Sequence, residues 1–104
     1  MSRSSHLPHV VAAELANYVL SPIQPKEQAQ ICATGFRDTT RIASGSPEMW
    51  RDICAANRDA ILAALDGYLG ELEAVRGMVE ASDGAGLQAR FAAARAARAK
   101  WLKP

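Results

Sequence analysis

Charge of one sign is what this 104-residue sequence most plainly lacks: 12 Lys and Arg stand against 11 Asp and Glu, a formal net charge of +1. No global field draws such a chain to nucleic acid or to a membrane surface, so any anion-binding place has to be local. Cysteine is scarce too. Cys32 and Cys54 are isolated, with neither a CxxC pair nor the Cys/His spacing of a zinc ligand set. That argues against a disulfide scaffold and a metal site, and for reduced, buried thiols in a cytoplasmic protein. Long apolar runs are missing as well: the early block at residues 10–13 ends at Glu14, which gives neither a signal peptide nor a membrane span. No strand-like alternation occurs anywhere. The expected fold class is therefore all-α, in one small domain over residues 1–104.

What is present is helical spacing with clear punctuation. Pro8 stands in a first turn, where a missing N–H costs nothing, and Val10, Val11, Leu15, Tyr18 and Val19 continue at helical intervals to Ser21-Pro22. A second helix is expected in QPKEQAQICATG, from Pro25 to Thr34, with Gly35 as a left-handed stop. The stretch FRDTTRIASGS, residues 36–46, has no sustained period and reads as a connecting loop with at most one helical turn. Ser46-Pro47-Glu48 then supplies an N-cap, a proline at the first helical position and an acid at the positive end of the helix dipole.

One long central helix is expected from Pro47 to about Ala81, because Trp50, Ile53, Cys54, Ile61, Leu65, Tyr68, Leu72, Val75 and Val79 form a stripe without a strong breaker. At 1.5 Å per residue it would run roughly 50 Å, more than a domain of this size can cover by itself, so the stripe implies a homodimer. A turn at SDGAG, residues 82–86, leads to a last alanine-rich helix with Leu87, Phe91, Ala94 and Trp101 or Leu102 on one side. Its basic residues suit a helix C-terminus better than a nucleic-acid arm, since few aromatics lie among them. Gly84-Ala85-Gly86-Leu87-Gln88-Ala89 spells a dinucleotide-binding pattern, but a helix precedes it where a buried strand would be needed, so it reads as an interhelical turn.

The segment Ser5-His6-Leu7-Pro8-His9 holds both histidines of the chain at a helix entrance. Three residues apart, the imidazoles share one face, near backbone N–H groups left free in a first turn. Such a place takes an anion or a polar oxygen, and taken alone the pair reads equally well as surface histidines without a role. With no third ligand it is a poor metal site.

Taken together, SSHLPHVVAAELA and GFRDTTRIASGSPEMWRDICAANRDAI resemble the C-terminal, helical dimerisation domain of the prephenate and arogenate dehydrogenases of tyrosine biosynthesis. The family's Ser-His-Leu-Pro-His is unbroken at residues 5–9, and its Gly-Phe-(Arg/Lys)-Asp-x-Thr-Arg-Ile-Ala stands at 35–43, followed by Ser-x-Pro-x-Met-Trp-x-Asp-Ile in nearly full form. The resemblance covers residues 5 to about 80; the last helix shares only its helicity. It implies a homodimer that works on prephenate or arogenate with NAD or NADP. Hydride leaves the ring carbon bearing the hydroxyl, the ring carboxylate departs as carbon dioxide, and the ring becomes aromatic.

By the same resemblance Ser5, His6 and His9 line the substrate side of the cleft, and Arg41 receives a substrate carboxylate. A guanidinium can grip a carboxylate with two parallel hydrogen bonds. Asp38 and Arg37 are expected to orient their loop, or simply to form an exposed ion pair worth at most about 1 kcal/mol. The family's cofactor-holding Rossmann domain, which also supplies its catalytic histidine, is not among these residues. No catalytic, cofactor-binding or metal-binding residue is therefore expected here, and the chain alone should neither turn over substrate nor bind NAD or NADP. The competing reading is a free-standing helical dimerisation or regulatory module without chemistry.

Overall fold

The computed structural model describes residues 2–20 and 34–103, and every regular element among them is helical. A π-helical turn, Ser2–His6, runs into α1, Leu7–Val19, with a proline at its start as expected. The next element is α2, Thr34–Thr40, then a 3-10 turn, Arg41–Ser44. Three longer helices follow: α3, Pro47–Ala56, α4, Arg58–Glu80, and α5, Gly84–Leu102. The chain divides into two units, Met1–Leu65 and Asp66–Pro104.

In the first unit, the stretch expected to be a loop is mostly helix. Residues 34–40 form α2, a short helix packed on α1 and on the 3-10 turn; within it the Thr39 hydroxyl donates to the Gly35 carbonyl at 2.7 Å, and that of Thr40 to Phe36 at 2.8 Å. Gly35 is thus not a left-handed stop but lies in the first turn of α2, and no glycine among the described residues has positive φ. The expected helix before it falls almost entirely outside the described residues. The α2 helix and the 3-10 turn both pack on α1 and on each other.

Ser46 caps α3 as its sequence implies: its side-chain oxygen accepts from the Met49 N–H at 3.3 Å, and Glu48 sits in the first turn. The expected single long helix, however, is broken at Asn57, whose backbone leaves helical values (φ −123°, ψ 31°). Its amide Nδ2 donates to the Ile53 carbonyl at 2.9 Å, the same oxygen that takes the Asn57 backbone N–H at 3.1 Å. A short polar side chain that bonds the preceding turn competes with the helix ladder, and an apolar-period reading does not register that. The Ile61 N–H still reaches the Asn57 carbonyl at 2.9 Å, so the apolar stripe continues into α4. Among the described residues the buried apolar side chains are few: Ala12 on α1, Ile61 and Ala64 on α4.

In the second unit, α4 ends and α5 begins around a tight turn at residues 81–83 rather than 82–86. Ser82 takes the left-handed backbone (φ 53°), and the Asp83 N–H donates to the Met78 carbonyl at 2.9 Å. Asp83 then caps α5, accepting from the Gly86 N–H at 2.9 Å. Both glycines of the pattern therefore lie inside the helix start. Arg90 ties α5 to α4, reaching the Glu71 carboxylate at 3.1 Å and the Glu71 carbonyl at 3.3 Å. Leu69, Leu72 and Val79 on α4 stay exposed, as do Phe91, Trp101 and Leu102 on α5.

Replacing Ser46 with alanine should cost about 0.5–2 kcal/mol by urea unfolding, since the Met49 N–H loses its partner in the first turn. An unchanged midpoint would show that the proline and the acid alone start α3.

Candidate functional site

The α1 entrance and the α3 entrance meet in the first unit. His6, the last residue of the π-helical turn, is 7% exposed, whereas His9, in the first turn of α1, is half-buried. Trp50, in the first turn of α3, lies against both. Its indole stacks on the His9 imidazole with centroids 3.6 Å apart and planes 15° from parallel, and meets His6 edge-on at 6.0 Å and 81°. Helical spacing puts the imidazoles on one face of α1, and the Ser46 cap fixes where α3 begins, so the three rings form one cluster. Burial lowers the His9 pKa from the usual 6.5, because a ring covered by indole loses the hydration that its charged form needs.

The 3-10 turn packs on α1 and carries Arg41, and α2, which packs beside it, carries Arg37 and Asp38. All three charged side chains are exposed, as is Ser5. Among the described residues none of the three charged groups forms an ion pair; the ion pairs there all lie from Arg51 onward. The alternative of an Arg37–Asp38 ion pair is thus not seen, and Arg37 occupies the last turn of α2, where a cation complements the helix dipole. Ser44 steadies the turn, its hydroxyl donating to the Arg41 carbonyl at 3.0 Å. The structure thus puts the histidines, the tryptophan and the Arg41 turn in contacting elements. This arrangement offers the half-buried His9 imidazole for hydrogen bonding and an exposed guanidinium for an anion.

Trp50 is the site residue that reading the sequence did not single out. In the sequence it stands as the first member of an apolar stripe; the signal that sets it apart is an aromatic one helical turn after a strong N-cap. Among the described residues no group of three or more His, Cys, Asp and Glu side chains could hold a metal. Cys54 is a free, half-buried thiol on α3, and Cys32 lies outside the described residues. The segment with dinucleotide spelling does not fit a nicotinamide cofactor, since the Asp83 carboxylate already accepts from the N–H at the α5 start that a pyrophosphate would need, and it repels an anion there.

The chain is similar to known proteins along most of its length. The family model described as "Prephenate dehydrogenase, dimerization domain" matches residues 1–93. The prephenate dehydrogenase of Bacillus subtilis is 42% identical over 96 residues, which are 88% of this chain and 25% of that protein. The cyclohexadienyl dehydrogenase of Zymomonas mobilis is 36% identical over 101 residues, 94% of this chain and 34% of that one. The crystal structure of Synechocystis arogenate dehydrogenase superposes with a TM-score of 0.87 at 27% identity, covering 97% of this chain and 37% of that chain. The chain thus spans a quarter to about a third of the relatives' length.

Unfolding returns His9 to water and to its ordinary value, so between the lowered and the ordinary value the unfolded chain binds more proton than the folded one. The stability gained by keeping the ring neutral is present in full above about pH 6.5 and is lost as pH falls through the lowered value. Ring NMR should place the His9 midpoint below 6.5, and Trp50→Ala should raise it by uncovering the imidazole. A midpoint at or above 6.5 in the intact chain would refute the burial argument.

Proposed function

Because the chain belongs to the prephenate dehydrogenase dimerization-domain family, we propose that it is the substrate-binding and dimerising part of a prephenate or arogenate dehydrogenase. That enzyme would carry out the NAD- or NADP-dependent oxidative decarboxylation of tyrosine biosynthesis. The observation that carries this reading is the joining of the His6, His9 and Trp50 rings on one side of α1 with the Arg41 turn packed on the same helix. Arg41 grips a substrate carboxylate. Ser5, His6 and His9 line the same cleft and hydrogen-bond the substrate's polar oxygens, and Asp38 and Arg37 shape the segment that presents Arg41. The cofactor, NAD or NADP, and the base acting on the substrate hydroxyl belong to the part of the dehydrogenase outside these residues, and this chain alone neither binds the cofactor nor turns over substrate.

A homodimer follows from the apolar face of α4. Leu69, Leu72 and Val79 are 54%, 47% and 61% exposed, and a second copy related by a two-fold axis covers such a row. With the helix broken at Asn57, the seam belongs to α4 rather than to one helix from Pro47 onward. No helix among the described residues is long and apolar enough to cross a membrane. We assign the protein no nucleic-acid partner and a cytoplasmic location.

Two measurements test this reading. In the complete dehydrogenase Arg41→Ala should lower kcat/KM about ten- to a hundredfold, mostly through KM, because the carboxylate contact is made in ground and transition states alike. Lysine at 41 should recover part of the loss, His9→Ala should also raise KM, and Arg37→Ala should do less than either. An Arg41→Ala enzyme with ordinary KM would remove Arg41 from the substrate. Light scattering should give a dimer mass for this chain at micromolar concentration and a monomer mass for Leu72→Asp; a monomer in the unaltered chain would contradict the seam.

A further inference from the structure

Between the 3-10 turn and the α3 cap stands Gly45, in extended backbone (φ −71°, ψ 172°) open to any residue. Conformation does not call for glycine there, but space does. A Cβ at this position would lie 3.1 Å from Trp50 Nε1, 3.3 Å from Trp50 Cδ1 and 3.2 Å from His9 Cε1. Those separations are shorter than the ~3.5–4.0 Å at which carbon atoms pack best. Both rings it would touch are members of the stack. At Gly35, Gly67, Gly70 and Gly77, by contrast, an added Cβ meets nothing within 4 Å.

We infer that Gly45 is a positioning residue for His9: its missing side chain leaves the room in which the imidazole–indole pair closes, and so sets where the His9 ring nitrogens stand toward substrate. The inference rests on the substrate-binding role proposed above for His9. Gly45 itself touches no substrate in this scheme and acts through the ring pair. A methyl group at 45 presses on both rings at once, so the pair yields by a few tenths of an ångström or separates. Either change re-aims an imidazole whose hydrogen bonds depend on direction.

The test begins in W101F, where Trp50 is the remaining tryptophan of two, and follows its emission through the His9 titration. Protonated imidazole quenches a stacked indole more strongly than neutral imidazole, so the emission has a pH step, and the part of it that H9Q removes belongs to the stacked His9 ring and not to the edge-on His6. G45A should change the size and midpoint of that step, and G77A should change neither. In the complete dehydrogenase G45A should raise the KM for prephenate or arogenate about three- to tenfold and keep kcat within about twofold. That increase should shrink in a W50F background, where a smaller ring relieves the contact; this double-mutant cycle separates a local push from a general loss of fold. An unaltered emission step in G45A overturns the inference, because the pair has not moved. An unchanged KM in G45A, alongside a raised KM in H9A, overturns it as well. Should H9A also leave KM unchanged, the substrate role of His9 falls, and the inference with it.

Discussion

The face-to-face contact of His9 with Trp50 is the constraint on which the candidate site depends, because it joins two helix starts that are far apart in sequence. Each start is fixed locally. Pro8 stands where α1 begins, and the Ser46 side chain, Pro47 and Glu48 determine where α3 begins. Helix starts set the direction of the side chains that follow, and with the elements between them packed on α1 they bring an imidazole and an indole to 3.6 Å. The intervening α2 and 3-10 turn pack on α1 within the same unit, which is how Arg41 comes to belong to this neighbourhood.

Burial and function pull in different directions at these rings. The indole removes water from one face of His9 and favours its neutral form, in which one ring nitrogen donates and the other accepts. A neutral imidazole recognises oxygen by hydrogen-bond direction, not by charge. Charge is left to the exposed Arg41 guanidinium, which is free of ion pairs among the described residues. Under the function proposed above, a carboxylate-bearing substrate would meet one partner that supplies charge and another that supplies orientation.

Caps, prolines and motif residues were legible in the sequence because each acts through its nearest neighbours. The α1 start, the Ser46 cap and the absence of strands among the described residues are of this kind. What was not legible involves competition between partners. Residues 36–44 look irregular by apolar period, yet they are helical where they pack on α1, a contact that no local period registers. Asn57 sits in an unbroken apolar stripe, and its amide donates to the Ile53 carbonyl where the helix is interrupted. Glycines at 84 and 86 suggested a turn, but Asp83 caps the helix one residue earlier. The tryptophan was visible only as an apolar residue, since its partner His9 lies in another helix and no local pattern links the two.

Small buried residues give the fold a further property. Ala12, Ile61 and Ala64 are the buried apolar side chains among the described residues, while leucines, a valine and aromatics of α4 and α5 face outward. Little apolar area is removed from water by those three residues, so the larger side chains have their hydrophobic gain still to make against something else. Where that something is a second copy, the stability of the fold is not a constant of the sequence but a function of how much of the protein is present. Each tenfold dilution of a two-chain assembly weakens it by about 1.4 kcal/mol. Abundance in the cell would then act on this domain as temperature acts on others, by setting the fraction that is folded.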